Sequence, residues 1–303
     1  MKNTAFRSGL SLLLALLLAL SLAACGKKPE SQSESESEIS SSESAGFFNP
    51  LKLPDGFKGV VALQDYTKNI EEAVKKNDDT VGWLHIPGTK IDEAIVCKSD
   101  PQDYNQYYYR RNFDKVAYAN NDWQSGPTVL WADCRITFDG TTAGLPTNTT
   151  IYGHNVNVND DPNDSYVMFA PLINFKTEEF AKKTPYIYFS TPEENLVWEV
   201  FAASYLSEKL AYNTPDMAAA DWMTTVEEVR KHSLYNYDVE VTEKDKVLTL
   251  STCTYHLQDG TNIGYPTNIR FVVVAKLIET PTTLKTEASM TPNASAKVPT
   301  VIK

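Results

Sequence analysis

Three side chains of this 303-residue chain have the types and settings that nucleophilic chemistry needs: Cys253, His154 and Arg270. Cys253 closes the β-rich run "VLTLSTC" (247–253), so its thiol is expected at a strand's exit, where a reactive group is open to a partner. A thiol becomes a useful nucleophile only with a base or a cation beside it. The chain offers four histidines. His85 lies within "GWLHIP" and either faces the surface or packs, and His232 sits on the polar face of a predicted helix. His256 is near Cys253 by chain continuity alone, which carries no information. His154 is the better base: "TIYGHN" (150–155) ends a strand, with Gly153 relaxing the backbone beside it. Arg270 opens the run "RFVVVAKLI" (270–278). It is either a strand-end residue reaching water or a permanent cation beside the thiol, able to stabilise an oxyanion. The 16 residues 254–269 between the two runs are long enough to fold their ends together.

The elements that must carry these residues follow from the periodicity. Residues 60–79 place Val60, Leu63, Ile70 and Val74 at helical spacing and predict a leading amphipathic helix. After it the period changes to two. "VGWLHIPGTKIDEAIVC" (81–97) reads as a strand, a Pro-Gly turn at 87–88 and a second strand. Residues 127–133, 148–154, 185–191, 196–206, 247–252 and 269–277 bring the total to about eight, which suggests a closed barrel or a sandwich. One helix interrupts the β rhythm at 216–235, with Met217, Ala220, Met223, Val226 and Val229 on one face, between the sixth and seventh strands.

The N-terminus predicts export. Lys2 and Arg7 precede "LSLLLALLLALSLAAC" (10–25), an apolar run short of the roughly 20 residues of a membrane span. Leu22-Ala23-Ala24-Cys25 resembles a bacterial lipobox, which implies cleavage after residue 24 and lipidation of Cys25; the alternative is an uncleaved signal anchor. Residues 25–46, rich in alternating serine and glutamate, read as a flexible stem, and 279–303, rich in Thr, Pro and Ala, as a disordered tail. Residues 47–278 remain as the one folded domain. Cys97 and Cys134 each end a strand and form a candidate disulfide, equally compatible with two free thiols.

Composition excludes some classes. Removing residues 1–24 takes two of the 28 basic residues and none of the 39 acidic ones, leaving a net charge of −13. An acidic exported chain without a basic cluster is poorly suited to nucleic acid or anionic lipid surfaces. No C-x-x-C or H-x-x-x-H pair and no loop with calcium-ligand spacing occurs, so no metal is expected.

Taken in order, "TIYGHN", "TLSTC" and "IRFVVVAKL" resemble the three signatures of the sortases, exported cysteine transpeptidases of Gram-positive bacteria. "VGWLHIPGTKIDEAIV" (81–96) is similar to the opening of class B members, and "TVLWADC" (128–134) and "MFAPLINF" (168–175) resemble segments that follow it. The resemblance spans about residues 60–278 and implies a mainly β fold with helices: an eight-stranded closed sortase barrel with a leading helix. It implies Cys253 as nucleophile, His154 as general acid/base and Arg270 as oxyanion and substrate-backbone stabiliser, with no cofactor. The implied partners are secreted proteins bearing a C-terminal sorting motif and an amine of the cell wall, at the outer face of the membrane. A lipobox in place of a membrane helix, an interval of 17 from Cys253 to Arg270 and a long segment before the histidine strand depart from the family pattern. The loop 256–266 is expected to form part of a substrate wall. Two alternatives stand beside transpeptidation: a peptidase using the same three residues with water as acceptor, and a non-catalytic binding module on the same fold.

Overall fold

The computed structural model describes residues 65–118, 129–156, 168–264, 267–278 and 284–302. The signal segment, Cys25 and the Ser/Glu-rich stem fall outside these residues. The helix α1 (Thr67–Lys76) leads into β1 (Thr80–His85) and β2 (Asp92–Val96). The turn between these strands is Ile86-Pro87-Gly88-Thr89, closed by the Thr89 amide donating to the Ile86 carbonyl at 3.2 Å. Gly88 takes φ 78°, the left-handed value that the third position of a type II turn demands after proline.

Then come β3 (Leu130–Ala132), β4 (Asn148–Tyr152), a 3-10 turn (Ala170–Lys176), α2 (Glu178–Lys183), β5 (Tyr186–Ser190) and β6 (Val197–Ser207). The helix α3 (Ala219–Lys231) precedes β7 (Tyr235–Tyr237), β8 (Val247–Cys253), β9 (Ile269–Ile278) and β10 (Met290–Pro292). Eight strands close a barrel, as expected, and their order is β1-β2-β3-β4-β8-β9-β6-β5. The pairs β2/β3 and β4/β8 are parallel and the rest antiparallel.

Side-chain alternation explains which strands lie deepest. On β1 buried and half-buried residues alternate, since one face meets the core and the other the rim. On β8 the first six residues are all buried, and β6 and β9 are nearly so. Their inner faces supply Trp198, Ala203, Leu250, Phe271 and Val273 to the main core. Their outer faces supply Phe201, Leu206, Val247, Val272 and Val274 to a second core under α3, filled from above by Trp222, Val226 and Val229. Each such side chain removed from water contributes on the order of 1.5–3 kcal/mol, so α3 secures the strands that carry Cys253 and Arg270.

Three expectations change, those for α1, α3 and the C-terminal tail, while the state of Cys97 and Cys134 is one that the sequence leaves open. On α1, Ile70 and Ala73 are buried while Val74 is exposed. On α3 and just before it the packed face keeps Met217, Met223, Val226 and Val229 as expected and adds Trp222 and Thr225, while Ala220 is exposed, because indole area outweighs a methyl group. Cys97 and Cys134 are buried free thiols. The Cys97 sulfur lies 3.6 Å from both Ser99 Oγ and the Asp133 carbonyl, while that of Cys134 accepts the Asn105 amide at 3.3 Å. Finally, 284–302 is not a disordered tail. Met290–Pro292 pairs with β7, and the Ala288 and Asn293 amides donate to the Lys182 and Leu234 carbonyls. Backbone hydrogen bonds and a few scattered apolar side chains, Leu284, Ala288, Met290 and Val301, hold this segment, so no periodicity announced it.

Candidate active site

Sheet register brings the three distant residues together. Antiparallel pairing of β8 with β9 sets Cys253 directly opposite Arg270. Parallel pairing of β4 with β8 sets Tyr152 beside Ser251, so Gly153-His154, just past the end of β4, runs beside Thr252-Cys253, the last two residues of β8. The Thr252 hydroxyl donates to the Gly153 carbonyl at 2.8 Å, and the Asn155 side-chain amide donates to the Cys253 carbonyl at 3.1 Å. Cys253, His154 and Arg270 line one cleft of about 280 Å³, with Tyr109, Trp131 and Glu208 among its walls.

Gly153 is needed for space, not for backbone freedom. A Cβ there would stand 2.4 Å from Leu130 Cδ2 and 2.8 Å from the Phe169 ring. Its absence lets β4 run close against β3 and the "MF" turn, which holds His154 through the Phe169 amide donating to the His154 carbonyl at 3.0 Å.

His154 is buried between the rings of Tyr109 and Trp131, with centroids 4.8 and 5.3 Å away. Its Nε2 lies 2.6 Å from the Tyr109 carbonyl. A carbonyl only accepts, so Nε2 carries the proton and Nδ1 is the basic nitrogen of the neutral ring. Burial lowers its pKa to about 4, helped by the Arg110 charge and opposed by the Tyr109 carbonyl. Burial likewise pushes the Cys253 thiol up, Arg270 pulls it down and Glu208 pushes it up again. The resting pair is therefore a neutral thiol and a neutral imidazole.

Arg270 is tightly fixed. Its Nη1 donates to the Thr267 and Ile269 carbonyls at 2.8 and 3.0 Å, and its Nη2 to Glu208 Oε2 at 2.8 Å. A second ion pair shapes the rim: the Arg135 guanidinium grips buried Asp133 with two hydrogen bonds of 2.8 and 2.7 Å, and Asp133 also accepts the Tyr152 hydroxyl at 2.7 Å. Beneath the loop after Cys253, the buried Lys176 ammonium donates to Thr254 Oγ1 at 3.1 Å and to the His256 carbonyl at 2.9 Å.

Of the four histidines only His154 lines the cleft. His85 packs between Tyr66 and Tyr188, His232 sits against the Glu228 carbonyl at the end of α3, and His256 is buried. Residues 256–264 do not line this cleft, because the loop folds back on itself through the His256–Asn262 bridge. Tyr109, Glu208 and Lys176 went unread in the sequence, as each approaches through a turn whose path no periodicity encodes.

Residues 84–278 match the family description "Sortase domain". The chain belongs to the sortase family. It is 30% identical over 208 residues to sortase B of Listeria monocytogenes serovar 1/2a (strain ATCC BAA-679 / EGD-e), covering 66% of this chain and 76% of that one. Its fold is similar to that of a Staphylococcus aureus sortase B–substrate complex, with TM-score 0.53, 26% identity and coverage of 70% of this chain and 85% of the other. It is also similar to a sortase B complexed with triglycine, with TM-score 0.53, 26% identity and coverage of 70% and 86%. This is a class B sortase, a cysteine transpeptidase on the expected barrel.

Proposed function

We propose that this sortase cleaves the C-terminal sorting signal of secreted proteins through a thioester at Cys253 and passes the acyl group to an amine of the cell wall. The observation that carries the reading is the register: Cys253 faces Arg270 across β8/β9, and the parallel β4 delivers His154 into the same cleft. As the sulfur attacks the scissile carbonyl carbon, the thiol proton passes to the neutral imidazole. The C–S bond forms, the C–N bond breaks, and His154 returns that proton to the departing amine. The pairing of Arg270 with Cys253 across β8/β9 and its place in the same cleft support its guanidinium as the group that stabilises the developing oxyanion and the substrate backbone. The incoming amine then attacks the thioester carbon and gives a proton to His154; the C–N bond forms, the C–S bond breaks, and His154 passes that proton to the departing sulfur, restoring the thiol.

The substrate and triglycine complexes of the related sortases support a sorting-signal donor and an amine acceptor for this chain. The lipobox-like Leu22–Cys25 supports a chain held by lipid at Cys25, at the extracytoplasmic face of a Gram-positive membrane. The full chain, incubated with sorting-signal peptides and an amine, is expected to yield a thioester mapped to Cys253 and an amine-dependent ligated product. Cys253→Ala abolishes both, and a signal peptide cleaved at the same rate without amine would replace transpeptidation by hydrolysis.

A further inference from the structure

Residues 284–302 run from the α1 side of the domain to Asn268, two residues before Arg270. Leu284 packs with Tyr66 and Ile70, and the Lys285 ammonium pairs with Glu199 at 2.8 Å. Glu287 meets Lys182 at 3.3 Å, β10 pairs with β7, and the Lys297 amide donates to the Lys231 carbonyl at the end of α3. The last described residues then seize one side chain and its backbone. The Ile302 amide donates to Asn268 Oδ1 at 2.7 Å, Asn268 Nδ2 donates to the Thr300 carbonyl at 3.0 Å, and the Asn268 amide donates to the Ile302 carbonyl at 3.2 Å.

Asn268 in turn is joined to the cleft. Its carbonyl accepts the Glu208 amide at 2.8 Å, and its Nδ2 reaches Ser207 Oγ at 3.4 Å. Glu208 holds the Arg270 guanidinium, and Arg270 stands opposite Cys253. An unbroken run of hydrogen bonds therefore leads from Thr300–Ile302 through Asn268 and Glu208 to Arg270. Asn268 is 6% exposed, so its amide groups depend on these partners rather than on water.

We propose that the C-terminal segment 284–302 is an intramolecular strap whose end positions Arg270 by clamping Asn268, making Asn268 a positioning residue for acyl transfer. This rests on the role assigned to Arg270 above. Without the clamp, the two strand ends that carry Glu208 and Arg270 lose a shared anchor, and the guanidinium spends less time beside the sulfur. The groups facing the thiol are Arg270 from β9, Glu208 and Tyr212 from the connection after β6, and His154 after β4, all lining one cleft. Of these, Arg270 is the one that favours the thiolate.

Two variants of the full chain test it. Ile302→Pro removes the amide donor to Asn268 Oδ1 at a side chain that is 48% exposed. A chain ending at Pro299 removes both arms of the clamp. Alkylation of Cys253 by iodoacetamide, mapped by peptide mass and followed against pH, reads the thiol with no sorting signal present. The midpoint is expected to rise by about half a pH unit or more in both variants, and kcat/KM for acyl transfer to fall roughly tenfold. Alkylation profiles that superimpose on the unaltered chain's, whatever happens to the melting temperature, overturn the proposal. A shifted midpoint in a protein whose unaltered form cleaves no signal peptide would leave the strap standing and reject the proposed reaction.

Discussion

At the scale of single residues, His154 joins stability to pH. Its folded pKa is about 4, below the ordinary histidine value near 6.5, because two aromatic rings and the barrel mouth exclude water from the ring. Between those values the unfolded chain binds a proton that the folded chain refuses. The contribution is thus complete above pH 6.5, declines as pH falls, and is gone below about 4. A gap of that size corresponds to roughly 3 kcal/mol. Urea denaturation of the unaltered protein and of His154→Gln, at pH 7 and pH 4, is expected to show their difference in unfolding free energy falling by about that amount on acidification. A difference independent of pH would mean that the imidazole is solvated. The same dryness keeps the ring neutral at pH 7, the state the proposed reaction needs if His154 is to accept the thiol proton.

At the scale of elements, the decisive contact is the close run of β4 past β3 and the turn at Met168–Phe169. Met168 itself takes φ 60°, so this turn is held by its buried surroundings rather than by local preference. Adding one carbon at Gly153→Ala forces Leu130 or Phe169 aside in a packed interior. We expect a loss of about 2–3 kcal/mol by denaturant unfolding, with slower thioester formation as His154 is displaced. Normal stability and rate in this variant would show that the core has slack here. The helix α3 acts in a complementary way, covering the outer faces of β6, β8 and β9 so that the strands bearing Cys253 and Arg270 are buried on both sides.

At the scale of the whole molecule, the domain does not end with the barrel. Residues 284–302 add a strand partner to β7, two ion pairs and buried Ala288, and they reach from the α1 side to Asn268. A chain ending at Ile278 is expected to melt at least about 5 °C lower than the full chain by scanning calorimetry. An unchanged melting temperature would show that these contacts cost as much order as they return. The shorter truncation at Pro299 keeps β10 and Ala288, and therefore separates the strap's effect on Arg270 from its contribution to stability.

The sequence by itself determined the eight barrel strands, α1 and α3, because period-two and helical patterns are local, but not α2, β7 or β10. It singled out Cys253, His154 and Arg270 as candidates through their strand-end settings and the order of their motifs. It also supported Gly153, though for the wrong reason: the position needs room against Leu130 and Phe169, which only neighbours distant in the chain reveal. Tertiary structure alone decided that Cys97 and Cys134 are buried beside separate hydrogen-bonding neighbours, that Glu208 holds Arg270, and that a polar C-terminal segment is ordered. Those outcomes depend on backbone groups meeting partners far away in the chain, as the Asn213 carbonyl meets Arg135 and the Ile302 amide meets Asn268. Backbone amides and carbonyls are the same in every residue but proline, so their pairings leave little mark on composition or periodicity.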